Sequence, residues 1–254
     1  MAYKVPPDGW INRYDVKFSS LPLQTVTGNG NITIDGKVWT VINFGNASSM
    51  TVGGSNGMRI ACNANQSFYG VATRSLPAFV IPITNVFPNQ SMLGGMRVTV
   101  YNSFENLSHD TDSVIFAVDN NTAAAATVGQ RWEFDKYWSG TKRFYGRLVL
   151  NGLALVAGDD TLTPTTDNVY SIEIPRLGHS ISYEKTGVAV GGSLPTPQNM
   201  KARIELGSAA SPFFQSRINS PSESYLVLGA CTANTSGTLD VRFDSLRIET
   251  RDDS

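Results

Sequence analysis

Leu239-Asp-Val-Arg-Phe-Asp-Ser-Leu-Arg-Ile248 is the stretch on which the fold turns. Leu239, Val241 and Phe243 hold odd positions, with Asp240, Arg242 and Asp244 between them. Leu246 and Ile248 then carry the apolar series on even positions. Successive side chains of a strand point to opposite faces. An apolar set can therefore change parity only where an extra residue bends the strand. The stretch predicts one long strand with a bulge near Asp244-Ser245, turning a corner of a sandwich.

Working outward, the same two-residue period recurs along the chain. Tyr14, Val16 and Phe18 alternate with Arg13, Asp15 and Lys17. Val98 and Val100, then Tyr170, Ile172 and Ile174, then Ile181 and Tyr183, then Ala202, Ile204 and Leu206 do the same. Such segments have one dry and one wet face, which suits antiparallel sheets. Further strands are expected at Val38-Trp-Thr-Val-Ile42, Gly57-Met-Arg-Ile-Ala61, Ser113-Val-Ile-Phe-Ala-Val118, Gln130-Arg-Trp-Glu-Phe134 and Tyr225-Leu-Val-Leu228. Asp35-Gly36 and Asn151-Gly152 are two-residue hairpin turns, because both residue pairs tolerate positive φ. Ala123-Ala-Ala-Ala126 is the best helix-forming run, and it lacks an amphipathic pattern on either side.

Roughly 14 to 16 short strands follow from this reading, with no composition break and no linker long enough to divide them. The expectation is an all-β, two-sheet antiparallel sandwich or jelly roll with almost no helix. Residues 1–10, with Pro6-Pro7-Asp8-Gly9, form an extended N-terminal arm, and residues 11–254 form a single domain.

Composition narrows the function. Ser, Thr and Asn make about a quarter of the chain, while charged residues make only 16%, against about 25% in an average soluble protein. Lys plus Arg is 20, Asp plus Glu is 21, and the net charge is -1. No cationic surplus exists to displace counterions from phosphates, so nucleic acid is not an expected partner. No segment has the length or hydropathy of a membrane-spanning helix, so no membrane is expected either. The start, Met1-Ala-Tyr-Lys-Val-Pro-Pro-Asp-Gly-Trp10, has neither the apolar run nor the cleavage site of a secretory signal. The Asn-x-Ser/Thr triplets at Asn31, Asn46, Asn65, Asn89, Asn106 and Asn234 therefore carry no glycosylation meaning. Cys62 and Cys231 read as two buried thiols; spacing alone does not settle whether they are bonded.

A resemblance joins these pieces. Tyr14-Asp-Val-Lys-Phe18, Asp35-Gly-Lys-Val-Trp39, Gly57-Met-Arg-Ile60 and the closing Asp240-Val-Arg-Phe-Asp-Ser-Leu-Arg-Ile-Glu249 together resemble concanavalin A-like sandwiches, the lectin, laminin-G and glucanase superfamily. The resemblance touches about a fifth of the chain and its motifs are degenerate. It implies first and last strands lying side by side.

Glucanases of that superfamily carry a Glu-x-Asp-x-(x)-Glu strand, because retaining hydrolysis needs two carboxyls on one face. The nearest match here is Trp132-Glu133-Phe134-Asp135-Lys136-Tyr137-Trp138, whose third position is Tyr137 or Trp138. The carboxylate pair is incomplete, and no catalytic residue is expected. His109 and His179 lie near no nucleophile motif. Two Cys and two His at these spacings assemble no zinc site, and no cofactor is expected. Calcium ligands could come from His109-Asp110-Thr-Asp112, Asp119-Asn120-Asn121 or Gly158-Asp159-Asp160, but turns explain all three. A sugar site needs exposed aromatics. Tyr137, Trp138 and Tyr145, with Phe144 beside them, are the candidates for glycan contact, against a reading of core plus hairpin. Phe213-Phe214 could be a packing or partner contact.

The chain thus looks built to work outside a cell while starting without a secretory signal. That combination fits a bacteriophage virion protein, made in the host cytoplasm and released by lysis. The expectation is a non-enzymatic structural protein in the virion: a capsid decoration or cement protein that binds other virion proteins, first the major capsid protein, as a homo-oligomer. The alternatives are a lectin-like carbohydrate-binding or tail-associated host-adhesion module contacting a surface glycan, and a glycoside hydrolase with a degenerate carboxylate strand.

Overall fold

The structure, a computed structural model, describes residues 9–64, 75–86, 95–110, 112–119, 131–150, 153–161, 168–175, 182–184, 194, 203–205, 225–235 and 237–251. Strands dominate it, with short 3-10 turns at Phe18–Ser20, Phe44–Asn46, Gly54–Asn56 and Ile83–Asn85. Among the described residues, nine strands form one sheet: β1 (Trp10–Lys17), β2 (Gln24–Thr25), β5 (Ala47–Val52), β6 (Met58–Cys62), β8 (Gly95–Glu105), β13 (Val169–Pro175), β14 (Ser182–Glu184), β15 (Arg203–Glu205) and β17 (Leu239–Arg251). Eight form the other: β3 (Gly30–Ile34), β4 (Lys37–Ile42), β7 (Ala78–Pro82), β9 (Ser113–Asp119), β10 (Arg131–Trp138), β11 (Lys142–Leu150), β12 (Leu153–Thr161) and β16 (Tyr225–Cys231).

The first sheet runs β15-β14-β13-β8-β17-β6-β5-β2, with β1 also paired to β17; the second runs β12-β11-β10-β9-β16-β7-β4-β3. Neighbouring strands pair antiparallel in both. Alternate residues of the two sheets meet in one core, where Phe18, Trp39, Phe79, Met50, Met58, Ile60 and Phe243 are fully buried. Each such side chain stabilises the fold by about 1.5–3 kcal/mol through apolar burial. The two-sheet antiparallel sandwich expected from the alternation is therefore what the chain forms, and its first and last strands, β1 and β17, are adjacent.

β17 explains the parity change. Phe243 pairs with Asn102 and Ser245 with Tyr101, so Asp244 is an extra residue on β17. Arg242 pairs with Phe104, so Ser103 is an extra residue on β8. The two insertions cancel, and the ladder regains its register beyond them. β17 keeps β8 on one edge throughout. On its other edge it pairs with β6 along Leu239–Phe243 and with β1 along Lys17↔Ser245 to Trp10↔Arg251. The predicted bulge is the handover point, and β17 stays within the nine-stranded sheet on both sides of it, so it turns no corner into the other sheet.

The hairpins follow local chemistry. Asp35 (φ 48) and Gly36 (φ 71) make the two-residue turn between β3 and β4, with Ile34 opposite Lys37. Leu150 and Leu153 face each other across β11 and β12, while the Asn151-Gly152 turn lies outside the described residues. Outside them too lie residues 1–8 of the expected arm, Ala123–Ala126, His179 and Phe213-Phe214. Trp10, counted with that arm, is the first residue of β1 and is buried. Cys62 and Cys231 are both buried and are not joined in a disulfide. Cys62 belongs to the core between the sheets and Cys231 to a cluster on the outer side of the eight-stranded sheet, which separates them.

Candidate functional site

The β10–β11 hairpin carries the site. Its tip is tight: Gly140 has φ 68 and the Ser139 amide donates to the Thr141 carbonyl at 2.9 Å. Alternation then sorts the aromatics. Lys136 points inward, where its Nζ lies 5.4 Å from the Tyr170 ring of β13 in the opposite sheet. Trp138 packs partly buried against the inter-sheet core. Tyr137, between them, faces the other way and meets Tyr145 of β11 edge-to-face, with ring centroids 6.5 Å apart and planes at 86°. Both tyrosines are half-buried, and Arg143 stands opposite Tyr137 in the ladder.

Of the three residues expected to contact a glycan, the structure brings Tyr137 and Tyr145 together and places Trp138 on the opposite face. Consecutive strand residues cannot share a face, so Tyr137 and Trp138 were never able to serve one surface. Backbone positions 133, 135 and 137 fall on the outer side of β10, and Tyr145 is the partner of position 135. The third alternate position, where the glucanase pattern has Glu, is therefore Tyr137.

The outer side of this sheet has two halves. In its central strands, Ala78, Val80, Ile115, Ala117, Val227 and Cys231 form a second buried cluster with Leu76. Beside it, β10 and β11 present the tyrosine pair. Across the molecule, the outer side of the nine-stranded sheet buries a polar group: Arg97 Nε donates to Glu249 Oε2 at 2.7 Å, and its guanidinium stacks 4.5 Å from the Trp10 ring.

One of the candidate calcium ligands is used otherwise, and Asn120 and Asn121 lie outside the described residues. Asp112 is buried; its Oδ2 accepts the amides of Ser108 and His109 at 3.0 Å, and its Oδ1 accepts the Thr232 hydroxyl at 2.7 Å. That carboxylate closes a turn rather than facing solvent. Asp159 and Asp160 are not in a turn but are consecutive residues of β12. Among the described residues, no group of three or more metal-ligating side chains converges. Three of the Asn-x-Ser/Thr amides are likewise hydrogen-bonded: Asn31 Oδ1 accepts the Thr40 hydroxyl, Asn46 donates to the Ser75 carbonyl, and Asn106 bridges Asp240 N and the Thr238 carbonyl.

No family model matches the chain, and no curated protein matches it. Solved structures resemble it in shape. One is the CBM2 module of the evolved Dit of Lactobacillus casei BL23 phage J-1, at 8% identity and TM-score 0.45, covering 97% of this chain and 98% of that one. Another is a Bacillus licheniformis β-glucanase, at 12% identity and TM-score 0.45, covering 94% and 98%. A third is a lichenase from a mouse hindgut metagenome, at 8% identity and TM-score 0.41, covering 92% and 97%. These are likenesses of shape alone, and none assigns a role to a residue of this chain.

Sequence reasoning missed the interior of the hairpin. Glu105 Oε1 lies 2.8 Å from the Nζ of Lys136 and 2.8 Å from that of Lys142. Lys136 Nζ also donates to Asn102 Oδ1 at 3.3 Å. These charges replace apolar packing between β8 and the β10–β11 hairpin. Lys136 and Lys142 lie on opposite strands of the hairpin, opposite Phe144 and Trp138, and their presence on an aromatic-rich hairpin is the one signal the sequence carries. Their partners in β8 are distant in the chain and could not be read from it.

Proposed function

We propose that the protein is a non-enzymatic structural protein of a bacteriophage virion that binds saccharide through the outer face of β10 and β11. The observation carrying this reading is the Tyr137–Tyr145 pair, held edge-to-face on the outer side of a rigid sheet. Aromatic rings offer a flat apolar surface to a sugar's C–H face, and neighbouring polar groups orient its hydroxyls. The low charge and abundance of hydroxyl and amide side chains suit a surface that adheres through shape. Tyr137 at the third alternate position of β10 supports a binding role over a hydrolytic one. Contact with other virion proteins, the major capsid protein among them, belongs to the same reading.

Two experiments test it. The protein should co-purify with virions at a fixed copy number; absence from purified particles would remove the virion assignment. On a glycan array, Tyr137→Ala and Tyr145→Ala should each weaken binding about tenfold, the loss of one aromatic contact. Binding to no glycan by the folded protein would leave only the protein-contact role. Turnover of a β-glucan that is lost in Glu133→Gln would instead establish the hydrolase.

A further inference from the structure

The β8 bulge does more than compensate β17. Before it, even positions of β8 face the core: Met96, Val98, Val100 and Asn102. The extra Ser103 reverses parity, so Glu105 also faces inward while Phe104 turns out to stack beneath Arg242 at 4.6 Å. Bulges of this kind re-aim side chains. Here the result is a lysine, an asparagine and a glutamate gathered in a dry place: Asn102 is 2% exposed, and the Lys136 and Glu105 side chains are 6% and 7% exposed.

Their geometry is directional. Asn102 Nδ2 donates to the carbonyls of Phe104 at 3.0 Å and Arg242 at 2.9 Å, which turns Oδ1 toward Lys136 Nζ. Glu105 Oε1 sits on the same Nζ at 2.8 Å. Lys142 places a second ammonium on that oxygen. Two ammonium groups thus share one buried carboxylate oxygen, and Glu105 stands within proton-transfer distance of the Lys136 Nζ.

We propose that Lys136 and Asn102 join in an intramolecular isopeptide bond, with Glu105 as the proton carrier, covalently linking β10 of one sheet to β8 of the other. Glu105 takes a proton from the ammonium and leaves a neutral amine. Rotation of the lysine side chain moves Nζ from Oδ1 to the carbon behind it, and the Nζ–Cγ bond forms. Glu105 delivers its proton to Nδ2 and accepts one from Nζ. The Cγ–Nδ2 bond breaks, ammonia departs, and it carries away the last proton as ammonium. One lysine ammonium and one carboxamide become one amide and one ammonium ion; nothing is oxidised or reduced. Exclusion of water keeps the amine undiluted by solvent and spares the new bond from hydrolysis. This step is independent of any saccharide.

Intact-mass measurement of the purified, folded wild-type chain decides it. The expected mass is lower than the sequence mass by one ammonia, and proteolysis should yield a branched peptide joining the segments that hold Asn102 and Lys136. Lys136→Arg, Asn102→Ala and Glu105→Gln should each restore the full mass. Glu105→Gln reads the proton-carrier role, because it keeps both reacting groups. A full sequence mass in aged, folded wild-type protein overturns the proposal, whatever the variants do. So does an ammonia loss that maps to Asn29-Gly30 or Asn56-Gly57 and persists in Glu105→Gln.

Discussion

Gly57 lies directly beneath the Phe243 carbonyl, so close that a Cβ at position 57 would stand 2.4 Å from that oxygen. The residue has φ +63 and leads into β6 where β17 hands its edge from β6 to β1. Backbone conformation and contact both exclude a side chain there. Gly57→Ala should cost at least about 1–3 kcal/mol, the range for one residue forced into an unfavoured backbone region. Urea unfolding should show a lower midpoint with an unchanged slope. An unaltered midpoint would mean that the approach of Gly57 to the Phe243 carbonyl is looser than this geometry.

The Arg97–Glu249 pair is buried on the outer side of the nine-stranded sheet, with side chains 4% and 10% exposed. Removing the carboxylate takes a buried ion-pair partner from the guanidinium beside Trp10. Glu249→Gln should therefore destabilise by about 3–5 kcal/mol, whereas Arg97→Met combined with Glu249→Leu should cost far less than the two single changes added together. Strict additivity in that double-mutant cycle would deny the pairing.

Trp138 and Tyr137 are neighbours in sequence with opposite duties. Trp138→Ala should lower stability by on the order of 2 kcal/mol, below the roughly 3–5 kcal/mol of a fully buried Trp, because it packs only partly buried against the core. Glycan affinity should follow Tyr137 and Tyr145 instead. If Trp138→Ala abolishes binding while stability is untouched, the facing of the strand is wrong.

Tyr14 makes stability depend on alkaline pH. Burial raises its phenol well above the ordinary value of 10.0, and its hydroxyl donates to the Ile34 carbonyl at 3.4 Å. The folded chain therefore keeps a proton that the unfolded chain releases near pH 10. That contribution is complete below the unfolded value and is lost as pH rises from there toward the folded one. Tyr101 is raised in the same direction by burial and by Asp244. Thermal unfolding of wild type should fall steeply above pH 10, and Tyr14→Phe should flatten the slope. Identical slopes would show that Tyr14 does not drive the alkaline loss.

Much of the site was half visible. Leu239–Ile248 exposed its bulge because apolar residues on one side and charged residues on the other make a parity change obvious. Tyr101-Asn-Ser-Phe-Glu105 hid the matching bulge, since polar residues occupy both sides of that segment. The cluster Tyr137, Trp138 and Tyr145 was visible as density of aromatics, but only strand alternation divides it into a surface pair and a core residue.

Alternation, turn chemistry and composition are local properties, so the sequence by itself determined an antiparallel all-β sandwich, the β17 bulge and a low-charge surface. Which strands become neighbours depends on contacts between residues far apart in the chain, and the tertiary structure alone decided those. It set Ser103 against Asp244, separated Cys62 from Cys231 by a sheet, and drew Asn102, Glu105 and Lys136 within hydrogen-bonding reach. Period-two patterning states which face a residue occupies; only the packing of two sheets states what that face meets.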